Sequence, residues 1–348
     1  MKSASATRIP SLDGVRAISV LLVIGGHLWG GLGVPGFTAA LAVHVFFVLS
    51  GYLITRLLQQ EHERAGRIDL VAFYRRRCFR IFPAAFTYIL VIALVVPASR
   101  PGLLYAATYM VSYHLSSTPL VFWHLWSLSV EEQFYLLWPL ALLLSFRRRA
   151  RVAWLAMIAA AGFRLVMALS GSPHAFAYLH YSFPGTMDSI AAGCLLAIYE
   201  PQVRERCRWM AESAAIVIAV PLTAWTVAGA FWADKSTTAT LSLSVIWGAV
   251  PLLIALWICL LIERQGRILN NPVASIIGVL SYSLYLWQQP FTEGRGYSTP
   301  VILVMVAACA VVSYVLVEKP MLKLGASLKS RKPLPIALNT NLASPVRD

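Results

Sequence analysis

The sequence is short of charge. Asp, Glu, Lys and Arg make up 13% of its 348 residues, about half the share found in an ordinary soluble domain. Hydrophobic residues make up 58%, and mean hydropathy is +0.68. That balance excludes a soluble globular protein. The five cysteines (Cys78, Cys194, Cys207, Cys259, Cys309) show no CxxC spacing, and they read as packing thiols rather than redox or metal ligands. No motif calls for a metal. No internal repeat is visible, and one membrane domain is expected to account for the chain, with no attached soluble catalytic domain. The first apolar run is long and its flank, SLDGVR, does not resemble a signal n-region, so no cleavable signal peptide is expected.

What the chain has is a series of apolar runs long enough to cross a bilayer. They fall at about 13–31, 39–58, 80–97, 128–146, 152–169, 184–199, 212–232, 241–263, 273–291 and 299–317. The net charge of +14 lies between these runs, as positive-inside topology requires, and not in a groove for nucleic acid. Segment 102–117 is apolar but short. If it does not cross, Arg56–Arg80, Arg147–Arg151, Arg204–Arg208 and Arg264–Arg267 all fall on the side of the N-terminus. The expectation is an all-α, polytopic membrane helical bundle of about ten transmembrane helices with both termini cytoplasmic. Segment 98–127 should dip toward the protein and cap a pocket. Residues 1–320 form one membrane domain, and 321–348 a basic, disordered cytoplasmic tail.

Several polar residues lie within these runs. Arg16 and His27 stand eleven residues apart, about three turns and roughly 16 Å along a helix, on nearly one side. A charge at the depth expected of His27 costs roughly 3 kcal/mol or more, so the residue is a functional candidate as well as a packing one. Ser50-Gly51-Tyr52 places a hydroxyl, a gap and a phenol in one turn. Arg75, Arg76, Arg77 and Arg80 precede a span expected to begin near Pro83; they serve as a topology anchor or a phosphate-binding cluster. Glu131 and Glu132 stand beside His124, Ser127 and Gln133 near the outer end of a span. Asp188 is a lone acid in an apolar run and needs a partner such as Arg164 or an arginine of the cluster. Tyr285 and Gln288 lie in the outer half of the ninth run, and Glu318 closes the tenth.

Together these blocks resemble the membrane acyltransferase-3 family of integral membrane O-acyltransferases, over about residues 11–320. Arg16 and His27 match its Arg, ten residues, His pattern. Phe46–Ile54 matches FFxxSGYLI, Arg75–Pro83 its arginine-rich stretch, and Trp126–Leu136 matches WSLSxExQFYL, which favours Glu131 over Glu132. Ser281–Pro290 matches SYxLYLWHxP except that Gln288 replaces the histidine. The resemblance implies transfer of an acyl group, commonly acetyl, from cytosolic acyl-CoA to a hydroxyl of a glycan or glycoside acceptor, in the bacterial inner membrane. His27 would be the general base, with Glu131, Ser50 or Tyr52 orienting it or binding the acceptor. Arg16, Arg76, Arg77 and Arg80 would hold the CoA phosphates, and His124, Asp188, Tyr285 and Gln288 the acceptor. A proton-coupled transporter or a glycan translocation partner is the alternative.

Overall fold

The computed structural model describes residues 10–29, 37–172, 174–233, 247–264, 269–293 and 296–328. Among them all regular structure is helical. Helices α1 (Pro10–Trp29), α2 (Phe37–Ala65) and α3 (Leu70–Val95) come first. One-turn helices and 3-10 turns fill 97–123, and α4 (Leu125–Ser145) and α5 (Arg149–Leu169) follow. After a short helix, Ala175–Tyr181, come α6 (Phe183–Ile198), α7 (Glu200–Glu212) and α8 (Ala214–Ala233). The chain continues through α9 (Ala249–Arg264), α10 (Pro272–Thr292) and α11 (Thr299–Ser313). A π-helical turn, Tyr314–Glu318, joins α11 to α12 (Lys319–Ser327).

A helix occupies each of the ten apolar runs, although 241–246 lie outside the described residues. Among the described residues five helical segments could cross a membrane by length and composition, or six if α7 and α8, bent by 111°, count as one span. Large apolar side chains cover the outside: Leu94 is 67% exposed, Leu144 86%, Ile158 65% and Val304 68%. A surface of that kind is solvated by lipid tails, not water, which makes this a multi-pass membrane protein. Segment 97–123 contains no helix longer than six residues, in keeping with a stretch that does not cross.

Local chemistry sets the helix ends. Asp69 caps α3 by accepting from the Ala72 N–H at 2.9 Å, and Asn271 caps α10 by accepting from Ala274 at 2.8 Å. Pro83 is not in a first turn as expected: α3 begins thirteen residues earlier and Pro83 sits in its interior. A proline there breaks one backbone hydrogen bond, which membrane helices tolerate because neighbours satisfy the freed groups. The arginine cluster is therefore helical. Beyond residue 320, where disorder was expected, the chain stays helical to Ser327, and Gly325 packs against Phe79. Residues 329–348 lie outside the described residues.

Side-chain contacts give the helix directions. Asp13 lies against Gly278 and His27 against Glu293, so α1 and α10 run parallel. Phe47 meets Trp126 and Thr55 meets Trp138, so α2 and α4 also run parallel. Arg149, Arg56, Arg77 and the start of α10 consequently gather at one end, the basic end. The α2–α6 contact is the closest: a Cβ on Gly193 would lie 2.0 Å from the Val48 carbonyl oxygen, and one on Gly51 2.0 Å from that of Ile190. Small residues bring membrane helices together in this way. Gly193→Ala should cost about 1–3 kcal/mol by overpacking. Gly162→Ala, where a Cβ meets nothing within 4 Å, should gain roughly 0.5–1 kcal/mol. Melting of the two variants in detergent should shift in opposite directions; equal melting temperatures would contradict this packing.

Candidate active site

Five helices enclose a cavity of about 350 Å³ near the basic end, within the range of small-molecule sites. α1 contributes Arg16, α2 contributes Ser50 and Arg56, α3 contributes Arg77 and Arg80, α4 contributes Ser127, Glu131 and Tyr135, and α10 contributes Tyr285. The mouth is cationic. Midway in, Ser50 Oγ donates to Glu131 Oε1 at 2.5 Å and the Tyr135 hydroxyl donates to Ser50 Oγ at 3.2 Å. The Arg77 guanidinium stacks 5.0 Å from the Tyr135 ring centre, which fixes its planar fork toward the cavity. At the inner end the Tyr285 hydroxyl donates to the His124 carbonyl at 2.7 Å and lies 2.6 Å from Ser127 Oγ.

Helix phase sorts the arginines. Arg77 and Arg80 are three residues apart and share one face. Arg76, turned about 100° away, is exposed and bonds Glu61 at 3.3 Å. Arg76, expected in the binding cluster, is thus not among the residues lining the cavity, and Arg56, absent from that expected cluster, lines it instead. The same phase argument separates Ser50 from Tyr52. Tyr52 is fully buried, is absent from the cavity lining, and accepts from Arg56 Nη1 at 2.8 Å. Gly51 packs against α6. Glu131 lines the cavity and Glu132 does not.

Asp188 does not reach the cavity. It pairs with Arg164 at 2.8 Å, both side chains fully buried between α5 and α6. The anticipated partner is present, and the pair ties α5 to α6. His124 is buried, edge-on to Tyr88 and Tyr285, with neither ring nitrogen hydrogen-bonded. Gln288 is buried one turn beyond Tyr285 and donates to Gln289 Oε1 at 2.9 Å. Glu318, in the π turn, accepts from the Ser283 hydroxyl. Among the described residues no three His, Cys, Asp or Glu side chains converge as metal ligands would.

His27 differs most from expectation. It lies in the last turn of α1, not deep in a span, and its side chain is 29% exposed. Its Nδ1 comes within 3.4 Å of Glu293 Oε1, a residue no sequence pattern pointed to. The parallel register of α1 and α10 puts Tyr285 level with Ser19 and Val20. The inner end of the cavity therefore stops about two turns, roughly 11 Å, short of the imidazole.

Residues 9–318 match the family model described as "Acyltransferase domain". O-acetyltransferase OatA of Staphylococcus aureus strain NCTC 8325 / PS 47 is 29% identical over 368 residues, covering 93% of this chain and 59% of that protein. OatA of strain MRSA252 gives the same figures. The chain thus spans less than two thirds of the length of these relatives. No solved structure matches it. The matched residues contain every block that forms the cavity and both ends of the Arg16–His27 helix, and the chain belongs to the membrane acyltransferase-3 family.

Proposed function

We propose that the protein moves an acyl group, acetyl in the first instance, from cytosolic acyl-CoA to a hydroxyl of a surface polysaccharide, lipopolysaccharide or glycoside. The observation that carries this reading is the arginine-ringed cavity at the basic end, joined through α1 to a histidine at the opposite end. Ten crossings with both termini in the cytoplasm put the basic end inside, in a bacterial inner membrane. CoA is a polyanion with a long thin arm. Arg16, Arg77, Arg80 and Arg56 would hold its phosphates, since charged hydrogen bonds are the strong ones, and the pantetheine would run inward past Ser50 and Glu131.

His27 serves as general base from the outer end. Its neutral imidazole takes the proton of the acceptor hydroxyl, and that oxygen attacks the thioester carbonyl. The C–S bond breaks, CoA leaves as thiolate, and the imidazolium returns the proton to sulfur. The products are an O-acyl ester and free CoA. An acetyl-imidazole on His27 is the covalent variant of the same chemistry. In either case the acyl end must pass Phe46 and Tyr285, which line the cavity with ring centres 6.5 Å apart, so a side-chain movement there accompanies turnover. The buried acid that would suit a proton-coupled transporter, Asp188, is occupied by Arg164, which favours the enzyme reading. Purified protein with radiolabelled acetyl-CoA and envelope glycan from the producing cell should yield labelled O-acetyl ester. Full retention of label in CoA would sink the proposal.

A further inference from the structure

We infer that Glu293 is a positioning residue for His27, held in place by an amide relay through Gln288 and Gln289. This inference rests on the reading of His27 as base. Glu293 follows the last residue of α10, with its side chain 36% exposed and its carboxylate 3.4 Å from His27 Nδ1. The imidazole in turn holds the Glu293 carboxyl below the usual carboxylate range, mainly by hydrogen bonding. A ring nitrogen facing a carboxylate carries the proton, which leaves the other nitrogen, Nε2, with its lone pair free. That is the tautomer a base needs.

The carboxylate is itself fixed. Gln289 Nε2 donates to Glu293 Oε1 at 3.2 Å and to the Leu120 carbonyl at 3.2 Å. Gln288 Nε2 donates to Gln289 Oε1 at 2.9 Å, and Thr292 Oγ1 donates to Gln288 Oε1 at 3.0 Å. Each amide has its direction set by the next, so the relay reads from Thr292 to Glu293 without a reversed bond. Glu293 Oε1 then accepts from Gln289 on one side and faces His27 Nδ1 at 3.4 Å on the other. Gln288, where the sequence departs from the family pattern, thereby has a place two bonds behind the carboxylate. The Leu120 contact ties the group to the segment at 97–123.

Glu293→Gln keeps the shape and removes the charge. It should lower kcat for acetyl transfer about tenfold or more while leaving KM for acetyl-CoA within about twofold, because the donor is held at the other end. The loss should stay below the ~10⁴-fold seen when a fully buried triad carboxylate is neutralised, since Glu293 is partly exposed. Nitrogen NMR of labelled His27 in membranes gives a reading that a merely structural role would not move. The wild type should show the Nδ1-protonated ring, and Glu293→Gln should shift it toward the Nε2-protonated form. Unchanged kcat, or an unchanged tautomer, in Glu293→Gln overturns the inference. If His27→Ala is inactive while Glu293→Gln is fully active, only the inference fails; if His27→Ala is fully active, the base reading itself fails.

Discussion

His27→Ala should abolish transfer to the glycan, with kcat falling about 10²- to 10⁴-fold, the usual contribution of a positioned general base. The protein should still fold and reach the membrane, because the side chain lies in the last turn of α1 and is 29% exposed. Its removal leaves no buried cavity and orphans no buried partner. A second readout separates chemistry from donor binding. Affinity for CoA should be unchanged in His27→Ala, since the arginines of α1, α2 and α3 stand at the basic end and His27 at the opposite end. Measured turnover within about threefold of wild type would remove His27 from the mechanism. Loss of both turnover and CoA binding would indicate instead that the helix had shifted.

Arg77→Ala and Arg80→Ala should each raise the apparent KM for acetyl-CoA about 10- to 100-fold. A charged hydrogen bond to phosphate is worth about 1.5–3 kcal/mol, and each 1.4 kcal/mol is a factor of ten. Arg76→Ala should leave it unchanged within about twofold, because that guanidinium bonds Glu61 outside the cavity. The contrast matters more than either value. Three neighbouring arginines anchoring one membrane face would respond alike; arginines sorted by helix phase would not. Equal effects of Arg76→Ala and Arg77→Ala on KM would overturn the docking assignment. Arg77→Lys should restore little, because the Tyr135 ring fixes a planar fork that an ammonium lacks.

Much of this was legible in the sequence because membrane helices are written in runs of single residues. The ten apolar stretches each hold a helix, and a lone acid in such a stretch demanded a counter-charge, which Arg164 supplies. What was misread followed from local rules overridden by context. Pro83 looked like a helix start, yet α3 begins at Leu70 under an Asp69 cap. With that start known, about 100° per residue would have set Arg76 apart from Arg77, as the same turn on α2 sets Tyr52 apart from Ser50. Helix α7 carries too many charges to register as apolar, and it packs by its Cys207 and Ala211 face instead. The pairing of His27 with Glu293 joins residues at opposite ends of the chain. Only the parallel register of α1 and α10 brings them together, and no short-range pattern encodes that register.

The proposed transfer is sided: the donor would enter where the arginines are, and the ester would form toward His27. Sealed membrane vesicles of both orientations, each supplied with radiolabelled acetyl-CoA on the outside only, test it directly. Inside-out vesicles, with the basic end facing the medium, should label glycan enclosed in the lumen, and right-side-out vesicles should label none. Labelling by right-side-out vesicles alone would contradict the account.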